Sequence, residues 1–118
     1  MKTFALLLFA GLLAPLSSAF AVCTTPPIAH TDVYNIAMNT SVNIFFSTLV
    51  ANDTDADSGD TLTAYVSAGP SAGSFCGIGP TGVCYQPPTN FTGLVAIPSE
   101  TVDTCGNIDG GTVLVFVQ

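Results

Sequence analysis

The run ANDTDADSGD occupies residues 51–60 and contains Asp53, Asp55, Asp57 and Asp60, half of the acidic residues of the chain. No Lys or Arg lies nearby to offset their mutual repulsion. Carboxylates at alternate positions of a tight turn supply the oxygen ligands that calcium prefers, of which it takes about six to eight. Asp, Asn and Gly also form solvated turns without any metal. The run therefore predicts a turn between two strands that is either a calcium site or an ordinary acidic turn.

Short apolar stretches rich in Val, Ile, Phe and Thr flank this run on both sides, and Pro, Gly and Asn separate them. The predicted strands are residues 28–34, 41–46, 61–68, 74–76, 83–85, 94–102 and 112–117. Many short strands with regular turn signals predict an all-β sandwich or barrel. Pro98 falls inside one predicted strand, and because proline donates no ladder hydrogen bond, that strand is expected to be an edge strand or to carry a bulge.

Two of the four cysteines lie in a predicted hairpin. A three-residue turn at residues 79–81 would place Cys76 opposite Cys84, and Phe75 opposite Tyr85 on the other face. We therefore expect a Cys76–Cys84 disulfide outside the sheet, with the two aromatic rings entering the core. A second disulfide, Cys23–Cys105, would close most of the domain. Disulfides suit a small secreted domain, because a chain of this size buries only about 60–65% of its unfolded surface.

The first residues have the features of a secretory signal. Lys2 precedes an apolar stretch at residues 4–13, and Ala19-Phe20-Ala21 fits the small-residue cleavage rule. Residues 1–21 are therefore predicted to be a cleaved signal peptide, and residues 22–118 a single secreted domain. Pro15 interrupts the apolar stretch well short of the roughly 20 residues that span a membrane, so no membrane insertion is expected after cleavage.

The charge of the predicted mature chain restricts its partners. Lys2 is the only basic residue apart from one histidine, so residues 22–118 carry no Lys or Arg. This excludes nucleic acid as a partner, because phosphate neutralisation requires basic side chains, and it disfavours anionic membranes. Cations or a basic protein surface remain as candidate ligands.

Several motifs resemble the bacterial Ig-like, cadherin-like repeat that occurs in tandem in large secreted surface proteins of the adhesin type. They are PPIA at residues 26–29, LVANDTDAD at 49–57, NFTG at 90–93 and GGT at 110–112. The resemblance implies a Greek-key β-sandwich of about seven strands, an extracellular structural or adhesive role, and often calcium at one end of the domain. This chain differs from the repeat in holding one copy, in its added cysteines, and in having Ile97-Pro98-Ser99 where an aromatic pair is usual.

For the metal site, the acidic run is not an EF-hand, because Gly59 falls one place late and Ala64 stands where a bidentate Glu belongs. The predicted calcium ligands belong to the acidic run, and three further residues could complete the shell. The ligands are Asp53, Asp55, Asp57 and Asp60, and the additional candidates are Asn52, Asp32 and Asp103.

Catalysis has little chemical support in this sequence. A nucleophilic triad would have to use His30 with Asp32 two residues further on, but an exposed histidine is the ordinary outcome in a short strand after two prolines. We therefore expect no enzyme. The predicted function is a secreted or cell-surface structural or adhesive module, and the alternative is a stand-alone secreted binding module, an inhibitor or matrix component, that uses its acidic surface against a basic partner.

Overall fold

Seven strands and one short helix make up residues 24–118, the part of the chain that the computed structural model describes. They are β1 (Asp32–Ile36), β2 (Val42–Phe45), α1 (Phe46–Val50), β3 (Thr63–Val66), β4 (Ser74–Gly79), β5 (Gly82–Gln86), β6 (Gly93–Val102) and β7 (Ile108–Val117). The predicted signal peptide and Cys23 lie outside the described residues. The all-β fold class predicted from the sequence is confirmed.

The strands form two sheets that pack face to face. The first has the order β1–β7–β6–β3, and the second has the order β2–β5–β4. β1 pairs in parallel with β7, while the other neighbouring strands are antiparallel. The chain changes sheet after β1, β2, β3 and β5, which is the Greek-key connectivity of an Ig-like β-sandwich.

The core lies between the sheets because inward and outward residues alternate along each strand. On β7 every second residue from Val113 to Val117 is buried, and on β6 Val95 and Ile97 are fully buried. Ile44 and Tyr85 face them from the second sheet. Burying a side chain of this size stabilises the fold by about 1.5–3 kcal/mol.

The hairpin of β4 and β5 has a different turn from the predicted one. Gly79 pairs with Gly82, so the turn contains two residues instead of three. The register then shifts by a β-bulge at Cys76, and Gly77, instead of Cys76, lies opposite Cys84. A bulge accommodates the one extra residue that the shorter turn leaves on β4.

On the side of the bulge away from the turn, the strands pair in the predicted register. Phe75 lies opposite Tyr85, as expected, and the Tyr85 hydroxyl donates to the Ala72 carbonyl at 2.7 Å. Cys76 and Cys84 form the predicted disulfide, with their Cα atoms 5.0 Å apart. The predicted Cys76–Cys84 disulfide of the hairpin is therefore confirmed.

The prediction that Pro98 marks an edge strand or a bulge is wrong. β6 lies between β7 and β3, and its pairing with β7 continues without a shift through Pro98 and Thr112. The Pro98 carbonyl accepts from the Ser67 N–H at 3.0 Å, and Ser67 lies one position beyond the last residue of β3. In an antiparallel pair the nitrogen and the carbonyl of one residue face the same neighbouring strand, so the proline nitrogen also faces Ser67. No bond within the β3–β6 ladder is lost there.

Two other elements differ from the predictions. The first strand begins at Asp32 instead of residue 28, and the preceding residues make only one isolated bridge, between Ile28 and Thr54. The predicted strand at residues 41–46 ends at Phe45, where the one-turn helix α1 begins and buries Leu49. A five-residue helix is too short to show a clear helical period in the sequence.

Three segments meet at one end of the sandwich, which we call the acidic pole. They are the amino-terminal segment (residues 24–31), the acidic loop (residues 51–62) and the Asp103 loop (residues 103–107). At the other end, Met38 N–H donates to the Gln118 carbonyl at 2.7 Å. In residues 24–118, no helix has the length and apolar character needed to cross a membrane.

Candidate metal centre

Three aspartates converge at the acidic pole. Asp55, Asp60 and Asp103 each offer a carboxylate oxygen, and these oxygens all lie within 4.8 Å of one another. Asp103 is only 5% exposed, and the other two are half-buried. We call this group the three-aspartate cluster. The cluster joins the acidic loop to the Asp103 loop, because it takes two members from the first and one from the second.

The position of Asp103 follows from the alternation of β6. Its inward row passes from Val95 and Ile97 to the buried polar residues Ser99 and Thr101, and the next place in that row is Asp103. Counting in twos along the predicted strand could therefore have placed Asp103 on the inward face, just past the end of the strand. The sequence analysis included Asp103 only as an additional candidate.

Asp103 is held in place by its own loop. Its Oδ1 accepts from the Cys105 and Asn107 N–H groups at 2.9 and 2.8 Å, and its Oδ2 accepts from Asn107 Nδ2 at 2.8 Å. Burial alone would raise the pKa of this carboxyl, but the hydrogen bonds from Asn107 and Cys105 outweigh it and hold the pKa below its ordinary value. Asp103 therefore stays ionised at neutral pH.

Cys105, in the same loop, is disulfide-bonded. Its predicted partner, Cys23, lies outside the described residues, so the Cys23–Cys105 pairing stays a prediction.

Asp55 and Asp60 carry buried oxygens without partners. Both carboxylate oxygens of Asp60 and the Oδ2 of Asp55 are buried and accept no hydrogen bond from residues 24–118. The other oxygen of Asp55 accepts from the Asp57 N–H at 2.8 Å. A buried carboxylate without a partner is costly, and such groups are usually satisfied by a hydrogen bond or an ion. The donor set fits a hard cation, because it consists of carboxylate oxygens from two separate loops.

Asp57, a predicted ligand, faces the amino-terminal segment instead. Its Oδ1 accepts from the Thr24 hydroxyl and its Oδ2 from the Thr25 N–H, both at 2.8 Å. The Thr25 hydrogen bond is the main reason that the pKa of Asp57 lies below its ordinary value. Both oxygens therefore have partners.

The Asp53 carboxylate also accepts hydrogen bonds through both of its oxygens. Its Oδ1 accepts from the His30 N–H at 2.8 Å, and its Oδ2 accepts a short hydrogen bond from the Thr101 hydroxyl. Asp53 and Asp57 thus lie outside the three-aspartate cluster. Their carboxylates accept hydrogen bonds from the amino-terminal segment and from Thr101, whereas Asp55 and Asp60 of the same loop lie with Asp103.

The remaining candidates, Asp32 and Asn52, are grouped around Asp53. Asn52 Nδ2 donates to the Thr31 carbonyl at 3.2 Å. Burial and the nearby charge of Asp53 raise the pKa of Asp32 to about 6, although Asn52 and His30 counteract part of the rise. The His30 residue itself is exposed. Asp32 thus interacts with Asn52 and Asp53, and none of the three belongs to the three-aspartate cluster.

One comparison with known proteins bears on this chain. The family model described as the bacterial Ig domain matches residues 24–116. A comparison with curated protein sequences gives no match.

Proposed function

This chain belongs to the bacterial Ig domain family, and we propose that it is a secreted or cell-surface structural module with an adhesive role, rigidified by calcium at its acidic pole. The family match confirms the resemblance found in the sequence. Domains of this family are typically non-enzymatic structural modules and commonly occur in surface proteins. The location outside the cell, the adhesive role and the ion are the parts that we propose.

The observation that supports calcium is the set of buried oxygens of Asp55 and Asp60 that have no hydrogen-bond partner among residues 24–118 and lie beside the ionised Asp103. A bound divalent cation would supply a partner for these oxygens and would offset the repulsion among three carboxylates. Three carboxylates do not fill a calcium shell, so backbone carbonyls and water would provide the remaining ligands.

The consequence of binding would be a stiffer acidic pole. The acidic loop and the Asp103 loop already contact each other, because the Thr61 N–H donates to the Thr104 hydroxyl at 2.9 Å. A cation between Asp60 and Asp103 would add a second, stronger link between the loops. Rigidity at this pole suits a spacer, because residue 24 lies at the acidic pole and Gln118 at the opposite end.

The structure gives less support to the alternative, a binding module that uses acidic charge against a basic partner. Such a surface needs carboxylates that face solvent. Here Asp53, Asp57 and Asp109 accept hydrogen bonds from the amino-terminal segment, and Asp103 is buried. Part of the acidic charge is therefore used in contacts within the protein.

Calcium should raise the melting temperature of the protein. Extracellular calcium modules bind with a Kd of about 0.1–1 mM. At about ten times the Kd, a ligand specific for the folded state stabilises it by about 1.4 kcal/mol, which corresponds to roughly 5–10 °C for a domain of this size. Differential scanning calorimetry in EDTA and in calcium measures this shift.

The matched variants are Asp60→Asn and Glu100→Gln. Each removes one negative charge, but only Asp60 belongs to the three-aspartate cluster. We expect the calcium-dependent shift to disappear in Asp60→Asn and to persist in Glu100→Gln. Equal melting temperatures of the wild-type protein in EDTA and in calcium would refute the metal site.

A further inference from the structure

We propose that a divalent cation in the three-aspartate cluster controls how firmly the amino-terminal segment is held against the sandwich, with Asp55 and Asp57 connecting the two. This inference rests on the proposed calcium site and assigns it a regulatory role. It concerns residues 24–31, which would pass from a loosely held to a firmly held state when the cation binds.

Within residues 24–118, carboxylates accept most of the hydrogen bonds that the amino-terminal segment donates, and the predicted Cys23–Cys105 disulfide would tether the residue that precedes it. Asp57 accepts from Thr24 and Thr25, Asp109 accepts from the Ala29 N–H at 2.7 Å, and Asp53 accepts from the His30 N–H. In the described part of the chain, the segment's backbone pairing is limited to the bridge in which Ile28 and Thr54 exchange hydrogen bonds at 2.7 and 3.1 Å.

Apolar burial adds little to this attachment. Pro27 is buried, but Ile28 is 54% exposed and Thr24, Pro26 and His30 are also exposed. A segment with few buried apolar contacts opens at low free-energy cost. The hydrogen bonds of Thr24 and Thr25 therefore depend on how well the acidic loop keeps the Asp57 carboxylate in place.

Asp55 connects the cluster to that attachment. The Asp55 carboxylate belongs to the cluster, its Oδ2 is buried and accepts no hydrogen bond from residues 24–118, and its Oδ1 accepts from the Asp57 N–H. A cation bound at Oδ2 would fix the Asp55 carboxylate and, through Oδ1, the backbone of Asp57. The Asp57 carboxylate would then stay where Thr24 and Thr25 can donate to it.

The charge of a bound cation would also favour the hydrogen bonds between Asp57 and the amino-terminal segment. The Asp57 carboxylate lies close enough to Asp103 to repel its negative charge, although the hydrogen bonds from Asn107 and Cys105 still hold the pKa of Asp103 below its ordinary value. Without a cation, Asp57 is repelled by the cluster while it holds the segment. A divalent cation would replace that repulsion with attraction, which favours the position in which Asp57 accepts from Thr25.

Amide hydrogen exchange measured by NMR on the wild-type protein tests the inference. The Thr25 N–H reports the Asp57 contact, and the N–H groups of β7 report global stability. Between EDTA and about 10 mM CaCl2, well above the expected Kd, we expect exchange at Thr25 to slow by at least about fivefold, the lower end of typical coupling between linked sites.

Two variants distinguish a connection through Asp57 from a general effect of calcium on the amino-terminal segment. Asp57→Ala removes the acceptor of Thr24 and Thr25 but keeps the backbone N–H that Asp55 accepts, so Thr25 should stop responding to calcium. Asp109→Ala removes the acceptor of Ala29 only, so Thr25 should still respond. By reciprocity, Asp57→Ala should also weaken calcium binding by the same factor, which isothermal titration calorimetry measures.

The outcomes separate this inference from the proposed function. If calcium leaves both the melting temperature and the Thr25 exchange rate unchanged, the metal site and its regulatory role are both wrong. If calcium raises the melting temperature but Thr25 exchange does not slow, only the regulatory role is wrong. A full Thr25 response in Asp57→Ala would likewise overturn the connection through Asp57.

Discussion

At the scale of single residues, neighbouring aspartates of the acidic loop have different surroundings. Asp57 accepts two hydrogen bonds from the amino-terminal segment, whereas Asp60, three residues later, has two buried oxygens that accept no hydrogen bond from the described part of the chain. The sequence predicted an acidic turn with calcium ligands, but it could not distinguish these two residues. The distinction comes from which backbone N–H groups lie nearby in the folded chain.

Asp32 should make the stability of the protein fall as the pH rises from about 4 to about 6. Its pKa is raised from 3.8 to about 6 in the folded state, chiefly by burial and then by Asp53. Between these values the folded protein binds a proton that the unfolded chain has released, so deprotonation favours unfolding. The stability that the raised pKa supplies is complete below about pH 4 and is lost as the pH approaches 6.

Replacing Asp32 by Asn removes this dependence. Because the carboxyl is only partly buried, solvent screening reduces the effect to about 1 kcal/mol of unfolding free energy near neutral pH. Asp32→Asn should therefore be more stable than the wild-type protein at pH 7 and similar to it at pH 4. Urea denaturation at both pH values checks this, and an equal loss of stability at both would contradict it.

At the scale of secondary-structure elements, the hairpin shows which details local sequence determines. Alternation placed Phe75 opposite Tyr85 and indicated the Cys76–Cys84 disulfide, and both are present. The turn length and the bulge were missed, because a two-residue turn with a bulge and a three-residue turn without one bring Phe75 opposite the same residue. The same limitation applies to Pro98, whose neighbouring strands cannot be identified from residues 94–102 alone.

Two glycines of this hairpin should respond differently to alanine. A Cβ at Gly82 would overlap the Ile44 carbonyl oxygen and lie 3.1 Å from the Phe45 Cα, whereas a Cβ at Gly77 would meet only the Cys84 Cβ at 3.8 Å. Backbone atoms of a paired strand cannot move aside easily, so Gly82→Ala should destabilise by about 1–3 kcal/mol.

Gly77→Ala is the matched control for this substitution. It should be neutral or stabilising by up to about 1 kcal/mol, because alanine lowers the entropy of the unfolded chain. Chemical denaturation of both variants gives the comparison. Equal stabilities of the two variants would show that β2 and β5 do not approach each other as closely as described.

At the scale of the whole molecule, charge is distributed very unevenly. Residues 24–118 contain all eight acidic residues of the chain and no Lys or Arg. Most of the carboxylates lie at the acidic pole, where the amino-terminal segment, the acidic loop and the Asp103 loop meet. Self-repulsion of this kind lowers the stability of a compact state, and dissolved ions screen it.

Sodium chloride should therefore raise the melting temperature in the absence of calcium. Between about 0.01 and 0.3 M salt the Debye length falls from about 30 Å to below 10 Å, and we expect an increase of a few degrees. The double variant Asp55→Asn/Asp60→Asn has less repulsion at the pole and should show a smaller increase. A melting temperature that falls with salt, or an equal increase in the double variant, would be inconsistent with this account.

The sequence by itself determined the all-β sandwich, the Cys76–Cys84 disulfide and the family, because apolar alternation and turn residues act over a few neighbouring positions. It also indicated where the acidic turn lies. Only the tertiary structure decided which aspartates meet, since Asp103 follows Asp60 by more than forty residues and reaches it because β6 ends beneath the acidic loop. The direction of a loop carboxylate depends on partners that are distant in the chain, and local sequence carries no record of them.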